Sequence, residues 1–214
     1  MCMKIILFCS TPYIETQNVV NEVSRLSNDI HLINSKLDEG AQDKLDCDLV
    51  LCFMTSTILK GNILKIPNIN FHPSPPWYRG RGGASLALLE KKSVHGVVAH
   101  KMDREIDNGE IYFYDEFEIS ENDTPETIHF RSMIGSFLQL RKFVSYFKKN
   151  KSFPDALDLK WSGDAVSNKD LNDLKMINNI ESEEFEQKIR AFSNNNYPGP
   201  FVKIKGKTFG YIKD

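Results

Sequence analysis

Three side chains in this sequence have the types and the spacing that acyl chemistry requires. Asn70 and His72 alternate at the end of an extended run that starts at Asn68, so both leave the same face of a strand. Asp107 stands downstream, in the turn Asp103-Arg104-Glu105-Ile106-Asp107-Asn108-Gly109 that follows the next extended segment. An amide donor beside an imidazole suits the oxyanion that develops when an acyl carbonyl is attacked. A carboxylate would orient that imidazole and favour its charged form. If the three converge at one sheet edge, the reaction class they suggest is acyl transfer without a protein nucleophile. No GxSxG elbow accompanies His72, no cysteine lies near it in sequence, and neither HExxH nor GxxxxGK[ST] occurs. Serine hydrolase, zincin and P-loop chemistries therefore fail. The turn after the first strand reads Cys9-Ser10-Thr11-Pro12-Tyr13 in place of GxGxxG, so no dinucleotide cofactor is expected.

A sheet must hold these residues, and the first third of the chain supplies its grammar. The pattern predicts a strand over Lys4 to Phe8, a helix over Glu15 to Leu26 and a strand over Ile30 to Asn34, which is a βαβ unit. Asp48 to Met54 is apolar on both faces, as a central parallel strand is, and a short helix at Ile58 to Leu64 leads to the strand Asn68 to Phe71. The expected fold class is α/β, an open, mostly parallel Rossmann-like sheet with flanking helices, whose ligands belong at the carboxyl ends of the strands. The segment after Phe71 is His72-Pro73-Ser74-Pro75-Pro76-Trp77-Tyr78-Arg79-Gly80-Arg81-Gly82-Gly83. Its prolines and glycines forbid helix and strand, leaving a rigid loop loaded with functional side chains.

Helix resumes at Ala84 to Lys91, and strands are predicted at His95 to Met102 and Gly109 to Ile119. Asp123-Thr124-Pro125-Glu126 announces a long helix ending near Lys149. Phe130, Met133, Ile134, Phe137, Leu138, Arg141 and Val144 line the face expected to pack across the sheet. The pattern breaks around Asn150 to Lys160. Helices are expected at Asn168 to Leu174 and Ser182 to Phe192, then a polar turn at Asn194-Asn195-Asn196 and two strands, Phe201 to Lys205 and Thr208 to Ile212. The chain divides accordingly into a catalytic core, 1–158, and a C-terminal appendage of helices and a β-hairpin, 159–214. Two strands alone bury too little to be stable, so the hairpin needs a partner in this chain or another.

Composition narrows the classes further. With 214 residues, 41% hydrophobic and 26% charged, the chain fits one main globular domain. Its 27 Lys and Arg against 29 Asp and Glu give a net charge of −2, with no basic excess for a nucleic-acid backbone. The apolar runs Ile5 to Phe8 and Leu49 to Met54 are far short of the ~20 residues of a membrane span, and no signal-peptide core precedes the first strand, so a cytoplasmic protein is expected. The four cysteines form no CxxC pair, and neither disulfide nor bound metal is expected.

Asn70-Phe71-His72-Pro73-Ser74, then Tyr78-Arg79-Gly80, then Asp107-Asn108-Gly109-Glu110-Ile111 resemble the signature of formyltransferases that use 10-formyltetrahydrofolate. That family has an Asn-x-His-Pro strand end and a distal Asp-x-Gly, and both halves are present at the usual separation. Asp48-Leu49-Val50 through Leu59 resembles the strand and loop that hold the pterin, and Ile189-Arg190-Ala191-Phe192 with Tyr197-Pro198-Gly199-Pro200-Phe201 extends the likeness towards the end of the chain. Three branches compete. The glycinamide ribonucleotide branch has a Gly- and Ser-rich phosphate loop after its first strand, which Cys9-Ser10-Thr11-Pro12 does not supply. The methionyl-tRNA branch carries a basic C-terminal barrel, for which the short C-terminal segment leaves no room. The sugar N-formyltransferases remain, similar in the His-Pro-x-Pro-Pro loop and in a C-terminal hairpin used for dimerisation.

The resemblance implies a nucleotide-linked amino-dideoxy sugar as acceptor, such as a dTDP-linked one, and a place in O-antigen or other surface polysaccharide synthesis. It implies a homodimer formed through the hairpin residues Phe201, Val202, Ile204, Phe209, Tyr211 and Ile212. Asn70, His72 and Asp107 are then the catalytic set, with His72 or Asp107 as base. Met54, Ile58 and Leu59 line the folate pocket, with plain core packing as the other reading. Trp77, Tyr78, Arg79 and Arg81 are candidate substrate contacts, since a nucleotide diphosphate needs cations and a flat ring. Trp161 resembles a tryptophan at the junction between the family's core and its C-terminal segment. His31, His95, His100 and His129 are assigned no role. The alternatives are formylation of another small phosphorylated amine and a non-catalytic folate-binding relative.

Overall fold

The computed structural model describes residues 2–193 and 198–212. Six strands, β1 (Lys4–Cys9), β2 (Asp29–Ile33), β3 (Leu49–Phe53), β4 (Asn68–His72), β5 (Val94–His100) and β6 (Ile111–Glu118), form one sheet in the order β2-β1-β3-β4-β5-β6. The pairs β1–β2, β1–β3 and β3–β4 are parallel, and β5 runs antiparallel to both of its neighbours. The expected open, mostly parallel sheet is present, with β5 as its reversed strand. Around it lie α1 (Tyr13–Val23), α2 (Glu39–Gln42), α3 (Gly83–Leu89), α4 (Pro125–Asn150), α5 (Asn168–Leu174) and α6 (Glu183–Phe192). The short helix expected at Ile58 to Leu64 is a 3-10 turn over Gly61–Lys65.

Alternation sorts the strand residues onto two cores. Leu7, Leu51, Phe53, Ile69 and Phe71 face α1 and α4, against Val19, Val23, Leu140, Phe143 and Val144. Ile6, Phe8, Val50 and Cys52 face the other way and meet Leu59 and Ile63. Each such buried aliphatic or aromatic side chain contributes roughly 1.5–3 kcal/mol. Because Ile69 and Phe71 take the first face, Asn70 and His72 emerge on the second.

Helix α4 starts as its sequence demands. Thr124 caps it with a reciprocal hydrogen-bonded pair to Thr127, and Pro125 occupies the first turn. The face it turns inward corrects the expectation. Met133, Phe137 and Val144 do pack on the core, but Phe130, Ile134 and Leu138 are 57%, 44% and 48% exposed, and Arg141 is exposed with them. Ile128, Ser132, Ser136, Gln139, Leu140 and Phe143 are buried in their place. Small residues permit this: a Cβ on Gly135 would come within 3.0 Å of Val97, so the helix lies close on β5, and Gln139 donates to the Val97 carbonyl.

The C-terminal segment is stitched to the sheet domain. Ala191 and Phe192 of α6 share a core with Leu88 and Ile128. Ser162 N–H donates to the Pro76 carbonyl, Val166 N–H to that of Arg79, and Arg81 N–H to that of Val166. The hairpin strands β7 (Phe201–Ile204) and β8 (Lys207–Gly210) are shorter than expected. The start of β7 finds one partner in the same chain: Ile177 N–H donates to the Phe201 carbonyl at 2.8 Å, and Phe201 N–H to that of Lys175 at 3.2 Å. The turn expected at Asn194-Asn195-Asn196 and Tyr197 of the family likeness lie outside the described residues. No described helix is long and apolar enough to cross a membrane.

Candidate active site

Register brings the chemistry together. In the antiparallel β4–β5 pair Asn70 lies opposite His100, and Asn70 Nδ2 is 3.1 Å from His100 Nε2. The turn after β5 then folds back over the strand ends. Asp107 Oδ2 sits 3.4 Å from His72 Nδ1, and Oδ1 sits 3.3 Å from His100 Nε2. His72 and His100 are 5% and 1% exposed. The three residues singled out in sequence therefore converge, and a fourth joins them. Sequence alone assigns His100 no role, because the β4–β5 register that sets it opposite Asn70 is not visible there. Its signal was its position at the end of a strand leading into the Asp107 turn.

Asp107 is held by its surroundings. Its backbone has φ 45°, a left-handed conformation that Asp tolerates better than most residues. Arg79 fixes that turn: Nε donates to the carbonyls of Ile106 and Asp107 at 3.1 and 2.9 Å, Nη2 to Ile106 at 2.9 Å, and Nη1 to Gly163 at 3.2 Å. Gly80 N–H donates to Asp107 Oδ2 at 2.8 Å, and only glycine fits there, since φ is +80° and a Cβ would lie 2.4 Å from the Val166 carbonyl. Trp161 closes the corner. Its indole N–H donates to the Gly109 carbonyl at 2.7 Å, and its ring meets His100 and His72 edge-on at 4.8 and 5.8 Å. The tryptophan noted at the junction is thus packed against both imidazoles.

Proton positions follow from the partners. His72 Nε2 faces the Tyr78 carbonyl at 3.0 Å and His100 Nδ1 the Lys101 carbonyl at 2.7 Å. A carbonyl only accepts, so both of these nitrogens carry hydrogen. The other two ring nitrogens, His72 Nδ1 and His100 Nε2, face the two oxygens of one carboxylate, and His100 Nε2 also meets Asn70 Nδ2. At His72 the carboxylate favours a second proton and burial opposes it: burial drives His72 below the ordinary histidine value, Asp107 opposes the shift, and His100 adds to it, so Nδ1 is left open to take a proton. Burial alone would raise the Asp107 carboxyl, but His72, His100 and the Gly80 N–H hold it far below the usual range. The titration belongs to the cluster and not to one residue. Such a group can take a proton from an attacking amine beside an amide that can hold an oxyanion.

The remaining predicted residues are placed as follows. Met54 follows β3 at φ 50° and packs on the first core, Ile58 is 52% exposed, and Leu59 is 5% exposed within the second core. Tyr78 is buried, and its hydroxyl donates to Glu90 at 2.9 Å. Trp77 stands 36% exposed with its ring edge-on to Tyr114. Arg81 is half-buried next to Gly80, and no described side chain pairs with its guanidinium. Arg79 is spent on the carbonyls of the Asp107 turn and Gly163.

Comparison with known proteins bears on the fold and the family. The GDP-perosamine N-formyltransferase of Brucella melitensis is 23% identical over 184 residues, covering 77% of this chain. The chain spans 64% of that relative's length. A sugar N-formyltransferase structure from a Shewanella species matches with a TM-score of 0.80 at 18% identity, covering 98% of this chain and 96% of that one. An N-formyltransferase from Helicobacter canadensis, solved with folinic acid and dTDP-3-aminofucose, matches with a TM-score of 0.73 at 18% identity, covering 96% and 85%. At such identities the likeness to solved structures is one of fold. The family described as formyl transferase matches residues 16–133, a span of more than half the chain that contains Asn70, His72, His100 and Asp107, and this protein belongs to it.

Proposed function

We propose that this protein transfers the formyl group of 10-formyltetrahydrofolate to the amine of a nucleotide-linked amino sugar. The observation that carries this reading is the buried cluster of Asn70, His72, His100 and Asp107 at the carboxyl end of β4, a proton store beside an amide donor. The sugar amine attacks the formyl carbon, and Asn70 donates to the oxyanion of the tetrahedral adduct. The His72–Asp107 pair takes the proton the amine sheds and returns it to folate N10 as the carbon–nitrogen bond to N10 breaks. The folate lies along Met54 and Ile58, with Leu59 beneath. Arg81 and the exposed edge of Trp77 meet the nucleotide diphosphate, a role that the unpaired guanidinium of Arg81 supports. Tyr78 and Arg79, whose polar groups are engaged within the protein, serve the substrate through the loop they hold.

The same reading makes 1–158 the catalytic core and 159–214 an appendage whose hairpin pairs with a second copy. Ile204, Phe209, Tyr211 and Ile212 are 56%, 52%, 41% and 83% exposed. It gives the enzyme a cytoplasmic place among reactions that prepare activated sugars for surface polysaccharide such as O-antigen. The two relatives named with a sugar differ in nucleotide, GDP against dTDP. The test therefore varies both nucleotide and amino position: dTDP- and GDP-linked 3-amino and 4-amino dideoxy sugars are incubated with the protein, with and without 10-formyltetrahydrofolate, and followed by mass spectrometry. Gain of one formyl group on a single sugar, only with the folate, is expected. No product on any sugar would refute the acceptor class, and a folate titration would then separate another formyltransferase from a binding protein.

A further inference from the structure

We propose that His95 is a positioning residue of the candidate active site, holding from the far face of the sheet the two loop residues that fix His72. The inference rests on the formyl-transfer reading above, in which His72 belongs to the pair that takes the proton of the attacking amine. Successive residues of β5 point to opposite faces, so His95, with Val97 and Ala99, turns toward α4, and His100 turns the other way. The β4–β5 ladder ends at the pair His72–Val98, and Pro73 carries no N–H with which to extend it. The Pro73 carbonyl is met by a side chain: His95 Nε2 lies 3.3 Å from it, and since a carbonyl only accepts, that nitrogen carries the hydrogen. The His95 ring also stacks on Tyr78, with centroids 6.3 Å apart and planes at 25°. The Tyr78 carbonyl is the acceptor that faces His72 Nε2 at 3.0 Å. His95 therefore touches both the residue that follows His72 and the residue that receives its ring hydrogen.

Burial makes a histidine a costly choice at this place. The side chain is completely buried, Phe117 meets its ring edge-on at 5.6 Å, and Nδ1 has no hydrogen-bond partner among the described residues. A buried polar nitrogen without a partner lowers stability, and a phenylalanine would fill the same aromatic slot without one. Packing alone does not account for the imidazole. What it adds is the hydrogen bond to Pro73, together with a ring that backs Tyr78, itself pinned at its far end by the bond from its hydroxyl to Glu90. One neutral hydrogen bond contributes little to folding, but this one fixes the peptide next to His72, and a small displacement of a reacting group is felt strongly in the rate.

Two measurements on the full chain test this. In nitrogen NMR of protein labelled in its histidine rings, near neutral pH, the parent should show His72 as the tautomer with hydrogen on Nε2, its signals being assigned by their loss in His72→Gln. His95→Phe should draw the two His72 nitrogen shifts toward each other as the Tyr78 carbonyl ceases to be fixed. His95→Gln, whose amide can donate to Pro73, should keep them apart. In formylation assays His95→Phe should lower kcat by roughly 10- to 100-fold with KM little changed and the urea midpoint no lower than the parent's, and His95→Gln should recover most of that rate. A histidine of purely structural role would give the reverse, a lower midpoint with kcat unchanged. If phenylalanine disturbs the packing, His95→Met, which matches glutamine in length and lacks the donor, takes its place in the comparison. His72 shifts that respond to neither His95→Phe nor His95→Met, or a kcat equal to the parent's in both, would overturn the proposal. The nitrogen shifts are read without any acceptor, so a failure to formylate every sugar would refute the formyl-transfer reading while the shifts still decide whether His95 positions His72.

Discussion

The corner built from β4, β5 and the Asp107 turn and the outer surface built from α4 and the hairpin depart from ordinary burial in opposite directions. At the corner, charged and polar side chains are buried, and each is answered by a partner: Asp107 by two imidazoles and a backbone N–H, Arg79 by three carbonyls, Asn70 by His100. On the outer surface, Phe130, Ile134, Leu138, Phe209 and Ile212 stand in solvent. Burying ionisable groups costs several kcal/mol that apolar residues would not, and exposing aromatic rings forfeits burial free energy. In the proposed function the first departure serves chemistry, because a desolvated carboxylate binds a proton according to its neighbours, and the exposed hairpin residues serve pairing with a second copy. Exposed apolar residues scattered singly would need no such reading, but those of the hairpin stand together on one element.

If the corner is a proton store, the largest loss comes from its carboxylate. Asp107→Asn keeps shape and the Gly80 contact but removes the charge, and kcat should fall about 10³-fold or more with the fold intact by circular dichroism. Turnover within tenfold of the parent would break the comparison at its centre. Asn70→Ala removes the oxyanion donor and should cost 10²–10³ in kcat, roughly 3 kcal/mol. It also removes the side chain that meets His100 Nε2 at 3.1 Å, so the pH profile of the residual activity separates loss of the oxyanion donor from disturbance of the cluster. An unchanged profile would mean that Asn70 acts on the oxyanion alone.

Arg79 sharpens the boundary between chemistry and positioning. Its guanidinium spans the carbonyls of Ile106, Asp107 and Gly163, a fork that the point charge of lysine cannot reproduce. Arg79→Lys should lower kcat by up to about 10²-fold through a misplaced carboxylate, with KM for the sugar little changed. The opposite split, KM raised and kcat kept, would return Arg79 to the role of phosphate contact that its residue type suggests in sequence.

How far the sequence reaches is visible in these same residues. Strands β1 and β3 follow from continuous β-branched and apolar runs and β4 from alternation, and α5 appears at Asn168–Leu174 as its pattern requires. The convergence of Asn70, His72 and Asp107 was readable because alternation fixes a face and a family signature links the two halves. His100 and Trp161 were harder, since their places depend on an antiparallel register and on backbone stitching across the junction near residue 158. The α4 error has a different origin. Periodicity locates apolar positions but not which of them the sheet covers, and the close approach at Gly135 turns Ser132, Ser136 and Gln139 inward beside Ile128, Leu140, Phe143 and Val144.

The smallest effect concerns stability, and it comes from a histidine outside the cluster. His95 is fully buried, stacks on Tyr78 and has Nε2 3.3 Å from the Pro73 carbonyl, so it braces the start of the catalytic loop from behind. Burial lowers its pKa to about 4, the Pro73 carbonyl opposing the shift only in part. The unfolded chain, with a histidine near 6.5, therefore takes up this proton first as pH falls. Stability is complete above pH 6.5 and declines as pH drops toward 4, by roughly 3 kcal/mol from this group. His72, also displaced downward, adds in the same direction, while Asp107 contributes only below the ordinary carboxylate range. Urea unfolding at pH 7.5, 6 and 4.5 should show the midpoint falling with acid, and His95→Gln, whose amide can still donate to Pro73, should flatten that slope. An equal slope in the variant would assign the acid sensitivity to the cluster itself, and the proton store would then limit the fold as well as the chemistry.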